Sequence, residues 1–164
     1  MKHLISIHIL ILFLSTSGCA ILGSNDDPAV KSVNTKFSPP DSPYEKSNVS
    51  SADQVWQSKK TGSTIAVNSM CQKYADLSLK NLEQNILTGI ENLKVIEEQD
   101  TTFDEREASR ILAEGTIDGV PIRIDLLIFK KNNCTYDLAY ISRPQNFTVE
   151  KPIFEKFLSN FHAP

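Results

Sequence analysis

The chain has 164 residues, 40% of them hydrophobic, and a formal net charge of −3. This length accommodates one domain with an extension. No basic stripe is present to neutralise phosphates, so a nucleic-acid partner is excluded. Of the three histidines, only His162 lies outside the first eight residues. Because triad and zinc sites need positioned imidazoles or thiolates, composition argues against an enzyme and predicts no metal or cofactor.

Residues 1–18 have the pattern of a secretory signal. Lys2 supplies a positive charge, an apolar run of about 11 residues follows, and small residues end the segment. The run is too short for a membrane-spanning helix, which needs about 20 apolar residues. Two outcomes stay open: attachment of lipid to Cys19 after cleavage, or an ordinary secreted protein that is cut near Gly18 or Ala20.

The residues Thr16-Ser17-Gly18-Cys19 resemble the lipobox of bacterial lipoproteins, although Thr16 stands where that family usually has Leu. The resemblance implies that Cys19 becomes the first residue and carries fatty acids such as palmitate. Two or three acyl chains give stable membrane anchoring. Ala20 follows the cysteine, which by the same resemblance implies a lipid anchor in the outer membrane, with the protein facing the periplasm.

The segment after the lipobox, residues 19–52, is rich in Ser, Asn, Asp and Pro and lacks apolar periodicity. It is therefore predicted to be a flexible tether that carries the lipidated cysteine. Phe37 and Tyr44 interrupt it and could dock on the edge of the domain. The globular domain is predicted to comprise residues 53–164.

Cys71 and Cys134 are the two cysteines that remain outside the lipobox. An exported protein enters an oxidising compartment, in which paired thiols tend to form disulfides. The two residues therefore either form a disulfide that closes a loop of about 64 residues or remain separate buried thiols. Their spacing is far too long for a catalytic Cys-x-x-Cys motif.

The first predicted elements of the domain are two short strands at 54–58 and 63–68, joined by a turn at Gly62. Residues 76–91 repeat apolar side chains at helical spacing, which predicts an amphipathic helix. A further strand is predicted at 93–99. All four segments lie before the clearest local signal in the chain.

That signal is a β-hairpin around the Asp-Gly dipeptide at 118–119. A two-residue loop pairs Ile117 with Val120 and, further from the turn, Ile111 with Leu126. The same register places the aliphatic side chains of both strands on one face. Turn chemistry and side-chain alternation thus predict one register independently.

The remaining elements complete an α+β fold. The Lys-Lys-Asn-Asn segment 130–133 predicts a turn, and 134–142 predicts a strand that is apolar on both faces and hence central in a sheet. Residues 150–161 predict a helix with Pro152 in its first turn. The order is β-β-α-β-β-β-β-α, an antiparallel sheet with helices packed on it.

A candidate surface for a ligand or partner comprises Tyr136, Tyr140, Arg123 and Asp125. The two tyrosines share one face of the strand 134–142. They either line a ligand groove or pack beneath a helix, with each hydroxyl reaching a polar partner.

Two charged groupings have both a functional and a structural interpretation. Arg123 and Asp125 either form a polar site together with Asp137 and Arg143 or make a cross-strand ion pair. Residues 103–107, Phe-Asp-Glu-Arg-Glu, are either a cation or partner patch or a solvated turn. They lack the ligand spacing of a calcium loop.

Several stretches resemble small uncharacterised bacterial lipoproteins with a fold like those of PsbP and DcrB: GSTIAVNSMC, LEQNILTGI, EREASRILAEGTIDGVPIRIDLLIFKKNNCTYDLAYISRP and FEKFLSNF. The resemblance covers residues 53–162. It implies an α/β/α sandwich and a non-enzymatic accessory, assembly or scaffolding factor that binds a membrane protein complex of the envelope. It supplies no catalytic residues, and a fold does not by itself determine function.

The alternative is a module that binds a lipid or small hydrophobic ligand for an envelope transport system. An apolar cavity above about 300 Å³ between sheet and helix would favour this alternative. A solid core with an exposed apolar patch would favour the accessory factor.

Overall fold

The computed structural model describes residues 30–48, 52–72 and 76–164. The predicted signal at 1–18 and the predicted lipidation of Cys19 lie outside these residues. No helix in the described ranges is long and apolar enough to cross a membrane.

The described part of the chain forms seven strands and two helices in the order β1 (Tyr44–Ser47), β2 (Gln54–Ser58), β3 (Thr64–Cys71), α1 (Leu79–Leu87), β4 (Glu91–Phe103), β5 (Arg106–Ile117), β6 (Val120–Lys131), β7 (Cys134–Ser142) and α2 (Pro144–Ser159). All strands join one antiparallel sheet in the order β1-β2-β3-β7-β6-β5-β4. The predicted α+β class is confirmed, with β1 as an additional strand at the start. β7 is the middle strand, as its apolar faces predict.

Each face of the sheet is covered by one helix, so the protein is an α/β/α sandwich. The α2 face is mainly aromatic and buries Trp56, Phe129, Tyr136, Tyr140, Phe154, Phe157 and Phe161. The α1 face is aliphatic and buries Leu82, Leu87, Ile111, Ala113, Ile124, Leu126 and Ile128. Alternation along each strand separates these two sets.

The predicted hairpin register is confirmed. Ile117 pairs with Val120, and the predicted pairs further from the turn are all present. Asp118 and Gly119 have positive φ angles of 50° and 75°, which the tight two-residue turn requires. The turn residues and the buried aliphatic row therefore agree, which is why this prediction is accurate to the residue.

Gly115 on β5 lies beneath the connection between α1 and β4. A Cβ atom at this position would lie 2.8 Å from the Glu91 carbonyl oxygen and still closer to the Ile90 side chain. Only glycine leaves room for this crossing. The start of β4 is also irregular, with register shifts between Glu91 and Lys94 and between Val95 and Glu97.

The domain begins earlier than the predicted boundary at residue 53. Val30 pairs with Cys71, and the backbone of Lys36 exchanges hydrogen bonds with that of His162. Phe37 packs among aromatic rings of the α2 face, including Trp56. The predicted tether is therefore wrong for residues 30–47: single aromatic residues among prolines bury themselves without producing any periodicity.

Both helices differ in extent from their predictions. α1 begins at Leu79 because the hydroxyl of Ser78 accepts from the backbone N–H of Asn81 at 3.2 Å and caps the helix. α2 begins at Pro144, six residues before the predicted start. Proline suits a first helical position because a backbone N–H there would have no acceptor within the helix, so its absence costs nothing. Pro152 consequently lies inside the helix rather than in its first turn.

Cys71 and Cys134 form a disulfide that joins β3 to β7. The two residues are register partners at the ends of these strands. The loop that they close includes α1 and strands β4 to β6. The disulfide therefore links β3 and β7 at the end of the sheet where Val30 pairs with Cys71.

Candidate ligand pocket and partner surface

Tyr136 and Tyr140 pack beneath α2 and do not form a ligand surface. Both side chains are 0% exposed. The Tyr140 hydroxyl donates to the Phe147 carbonyl at 3.0 Å, and the Tyr136 hydroxyl lies 2.7 Å from the hydroxyl of Ser32. The packing interpretation is correct, and placing these residues on a binding surface is wrong, because the helix and the N-terminal segment cover them.

Asp125 lies at the centre of a charged cluster between β5, β6 and α2. The side chain of Asp125, 1% exposed, accepts from Arg110 Nε and Nη2, both at 2.8 Å, and pairs with Lys151 at 3.1 Å. Arg110 also donates to Glu155 at 2.6 Å. The hydrogen bonds to Asp125 raise the pKa of the Arg110 guanidinium above its usual range. This fully paired cluster stabilises the contact between the sheet and α2.

Arg123 does not pair with Asp125. It makes a cross-strand ion pair with Glu114, its register partner on β5. Asp137 is the register partner of Ile128 and lies on the α1 face, whereas Arg123 and Asp125 lie on the α2 face. Arg143 is exposed at the start of α2. The predicted polar site of these four residues is therefore wrong, because strand alternation separates them.

Asp104, at the turn between β4 and β5, attaches the C-terminal segment to the sheet. Its carboxylate accepts from Lys131 at 2.9 Å and from the backbone N–H of Ala163 at 2.9 Å, and it lies 3.1 Å from His162 Nδ1. Burial acts to raise the pKa of Asp104, but these bonds outweigh it and the pKa is lowered. The Phe-Asp-Glu-Arg-Glu turn is therefore only partly solvated. The contact with Asp104 gives His162 a structural role, since it helps to hold the C-terminal segment on the sheet.

A second buried carboxylate, Glu150 of α2, is bonded only by hydroxyl groups among the described residues. It accepts from Tyr44 at 3.0 Å, from Ser58 at 2.9 Å and from Thr61 at 2.8 Å. Burial acts to raise the pKa of Glu150, but the hydroxyl donors outweigh it and the pKa is lowered. Burial, followed by the hydrogen bond to Glu150, raises the pKa of the Tyr44 hydroxyl. The network joins β1 and the β2–β3 turn to α2.

A pocket of about 330 Å³ opens between α1 and strands β3, β6 and β7. Its apolar wall comprises Met70, Leu82, Ile86 and Ile128, and its polar lining comprises Asn85, Thr135 and Asp137. Few polar groups in an otherwise apolar concavity are typical of small-molecule sites.

Asp137 is the titratable group of this pocket. One of its oxygens accepts from the side-chain amide of Asn68 at 3.2 Å. Burial raises the pKa of Asp137 to about 6, with a smaller contribution from the Asp53 carboxylate; Asn68 and Lys31 oppose the shift. The pocket therefore contains a carboxyl group that changes its charge near pH 6.

An exposed apolar surface lies at the opposite end of the sheet from Val30. We define the far-end surface as five side chains, each 39–44% exposed: Leu93, Val95, Ile96, Ile117 and Val120. It continues into a groove of about 310 Å³ between α1 and β4, which Leu87 and Ile111 also line. Lys80 and Glu98 form the charged edge of this groove, and Lys80 also pairs with the buried Glu83, which lines it.

In the described ranges, no group of three or more His, Cys, Asp or Glu residues is placed to hold a metal ion. The charged clusters around Asp125 and Asp104 contain their own counter-ions and connect elements of the fold. The pocket at Asp137 and the far-end surface are accordingly the two candidates for recognition.

No protein-family model and no curated protein sequence matches this chain. Solved structures do. Cyanobacterial PsbP (CyanoP) from Synechocystis sp. PCC 6803 matches with a TM-score of 0.59 at 11% identity, over 87% of this chain and 99% of that chain. LpqN of Mycobacterium tuberculosis, described as involved in cell envelope biogenesis, matches with a TM-score of 0.59 at 9% identity, over 85% and 88%.

A protein of unknown function from Pseudomonas aeruginosa is also similar, with a TM-score of 0.50 and 10% identity over 80% of this chain and 82% of that chain. These likenesses show that the chain has a PsbP-like fold, as its sequence resemblance implies. At such identities they show the fold alone, so function must be argued from this chain's own surfaces.

Sequence reasoning missed both the pocket and the far-end surface. Leu82 and Ile86 were predictable as core residues of α1, and Val95 as a strand residue, but the exposed fraction of each depends on how far α1 extends. The short helix leaves the β3 side of the sheet and the far end uncovered. Asp137 was identified as polar, but its pocket is formed by residues distant in sequence.

Proposed function

We propose that this protein is a non-enzymatic, lipid-anchored accessory factor of the bacterial cell envelope, which binds a membrane protein complex through the far-end surface. The anchor is the acylated Cys19, and the location is the periplasmic face of the outer membrane. The position of an exposed apolar surface at the end of the domain opposite Val30 carries this proposal.

The chain geometry favours a protein partner over the anchoring membrane at this surface. Val30 is eleven residues beyond Cys19 in the chain, so the first described residue lies at most about 40 Å from the anchor. The strand β6 places the far end roughly 36 Å further along the sheet. The far-end surface therefore lies at the end of the domain remote from the point at which the chain leads to the anchor, where a protein partner can reach it.

The chemistry of the surface is also that of a protein interface. Exposed large apolar side chains that are contiguous, rather than scattered, mark interaction sites. Here Leu93 and Val95 line a groove whose edge carries the Lys80–Glu98 ion pair. An apolar centre within a charged rim is the usual anatomy of a binding interface. The envelope role described for LpqN, which shares the fold, agrees with this proposal.

Site-specific photocrosslinking in intact cells tests the surface. A photoreactive residue in place of Leu93 should crosslink to a defined envelope protein, whereas the same residue in place of Val149 should not. Val149 is the matched control because it is an apolar side chain, 65% exposed, on the outer side of α2. Equal crosslinking from both positions would contradict the proposal.

Affinity for the crosslinked protein, once purified, provides a quantitative check. The double variant Leu93→Asp/Val120→Asp should weaken binding by at least about tenfold, since each buried interface contact of this kind contributes on the order of 1 kcal/mol. Val149→Asp should bind as the wild type does. An unchanged affinity in the double variant would show that the partner binds elsewhere.

The lipid anchor has its own test. The processed wild-type protein should have the mass of the chain from Cys19 plus its acyl groups and should sediment with outer membranes. Cys19→Ala should abolish the added mass and release the protein. An unmodified thiol at position 19 in freely soluble wild-type protein would refute the anchor, while leaving the far-end surface to be judged by crosslinking.

The pocket supports a second candidate function, binding of a small hydrophobic ligand. Its volume of about 330 Å³ exceeds the 300 Å³ at which such sites begin. Co-purification of a small molecule that disappears when the pocket is filled would support this function.

A further inference from the structure

We propose that the pocket between α1 and the sheet binds a small amphiphile that carries a short apolar chain and a protonated amine. The site is separate from the far-end surface, and the inference rests on the second candidate function, ligand binding in this pocket. The argument rests on the pocket's shape, its apolar wall and the carboxyl group at its polar end.

The wall determines the apolar part of the ligand. Leu82 and Ile86 project from one side of α1, and Met70 and Ile128 lie on the strands facing them. Methionine adapts to irregular shapes because its side chain is unbranched and flexible. Burial of each methylene group of a ligand against this wall contributes about 0.8 kcal/mol. The small volume restricts the ligand to a short chain.

Asp137 determines the polar part. An ionised carboxylate has about four acceptor positions, and Asn68 occupies one of them at 3.2 Å. Thr135 lines the pocket but donates its own hydroxyl to the Met70 carbonyl at 3.2 Å. An ionised carboxyl group that is removed from water without a counter-charge is unfavourable. A protonated amine in the pocket would supply that counter-charge.

Among the described residues, Lys31 favours the ionised form of Asp137, but it makes the smallest of the contributions to this pKa. The Lys31 amine is bonded to the Asn68 side-chain oxygen at 2.6 Å and paired with Asp53 at 2.8 Å. On β6, Lys130 lies on the same face and donates to the Leu77 carbonyl. The residues of α1 that line the pocket are uncharged.

Binding should therefore depend on pH with a defined sign. The pKa of Asp137 is raised to about 6, so the carboxylate is roughly 90% ionised at pH 7 and roughly 10% ionised at pH 5. A ligand that needs the ionised form binds in proportion to that fraction. The apparent affinity for an amine should thus fall about tenfold from pH 7 to pH 5.

The test uses the chain from residue 19 with Cys19→Ser, and it measures binding by NMR titration of methyl groups lining the pocket. Hexylammonium should shift the Met70 and Ile86 methyl signals and bind about tenfold more weakly at pH 5 than at pH 7. Hexanol, which lacks the charge, should bind more weakly at pH 7 and equally at both pH values. Equal affinity for the two probes at pH 7 would overturn the proposal.

Variants separate the carboxyl group from the pocket itself. Asp137→Asn should remove the pH dependence and the preference for the amine while leaving hexanol binding intact. Asp100→Asn, at an exposed position on β4, is the matched control and should change nothing. Asn85→Phe, at the exposed mouth of the pocket, should abolish binding of both probes without unfolding the protein. Persistence of the pH dependence in Asp137→Asn, or of binding in Asn85→Phe, would refute the assignment.

The outcome is distinguishable from that of the partner test. The double variant at the far-end surface, Leu93→Asp/Val120→Asp, should bind hexylammonium with wild-type affinity. A loss of ligand binding in this variant would show that the two surfaces are not independent and would overturn the separate site.

Discussion

Glu150 offers the sharpest test of how the N-terminal segment is held on the domain. Its carboxylate is buried, with the residue only 3% exposed, and accepts three hydroxyl bonds, from Tyr44, Ser58 and Thr61. None of its donors carries a charge. The substitution Glu150→Ala would leave all three hydroxyl groups without this acceptor.

The magnitude follows from opposing contributions. Three hydrogen bonds to a charged acceptor contribute about 1.5–3 kcal/mol each. Burying the carboxylate costs several kcal/mol, which the substitution recovers. We therefore expect Glu150→Ala to lower the free energy of unfolding by about 3 kcal/mol. Glu150→Gln keeps one acceptor oxygen and should cost about 1–2 kcal/mol.

Urea denaturation at pH 7 measures these differences, and Glu45→Ala is the control. Glu45 is the neighbour of Tyr44 on β1, but its side chain is 67% exposed, so its removal should change stability by less than about 0.5 kcal/mol. If Glu150→Ala and Glu45→Ala were equally stable, the hydroxyl network would not hold β1 to α2.

The pH dependence of Glu150→Gln tests the same reasoning. The pKa of Glu150 is lowered in the folded state, so its ionised form stabilises the protein fully above the unfolded-state pKa, near 4.3. This contribution is lost as the pH falls through the folded-state value. The difference between wild type and Glu150→Gln should therefore shrink under acid conditions. A difference that grew with acidity would contradict the assigned direction.

Three further predictions concern the interior. Arg110→Ala leaves the buried Asp125 with only its weaker contact to Lys151. It should lower the free energy of unfolding, measured by urea denaturation, by about 3 kcal/mol. A decrease below about 0.5 kcal/mol would show that the cluster does not stabilise the protein. Gly115→Val forces a side chain into the crossing above β5 and should cost at least about 1–3 kcal/mol, measured as a lowered melting temperature; an unchanged value would contradict the close approach. The double substitution Cys71→Ala/Cys134→Ala should destabilise by up to about 4 kcal/mol, and two free thiols in a non-reducing mass measurement of the wild type would refute the bridge.

The accuracy of the sequence predictions varies with how local the deciding interactions are. The hairpin at 118–119 was predicted to the residue, because turn chemistry and side-chain alternation agree within a few residues. The start of α2 was misplaced, because Pro144 both ends the β7 region and suits a first helical position. Nothing local distinguishes these two roles.

The side-chain groupings were predicted less well than the strands. Asp125 was correctly identified as a polar residue on a buried strand, but its partner is Arg110, on the neighbouring strand β5, rather than Arg123 on its own strand. Asp137 was grouped with it, although the register places the two on opposite faces. The sequence also did not predict how much of the sheet α1 covers. The part of the sheet that α1 leaves uncovered forms the pocket and the far-end surface.

The amino-acid order by itself determined the α+β class, the hairpin register and the central position of the strand 134–142, because each depends on short-range periodicity and turn chemistry. Similarity of longer stretches of sequence carried the resemblance to PsbP-like proteins. The tertiary structure alone decided which charges pair, where the domain begins and which apolar residues stay exposed. These depend on contacts between elements far apart in sequence, whose free energies no local pattern encodes.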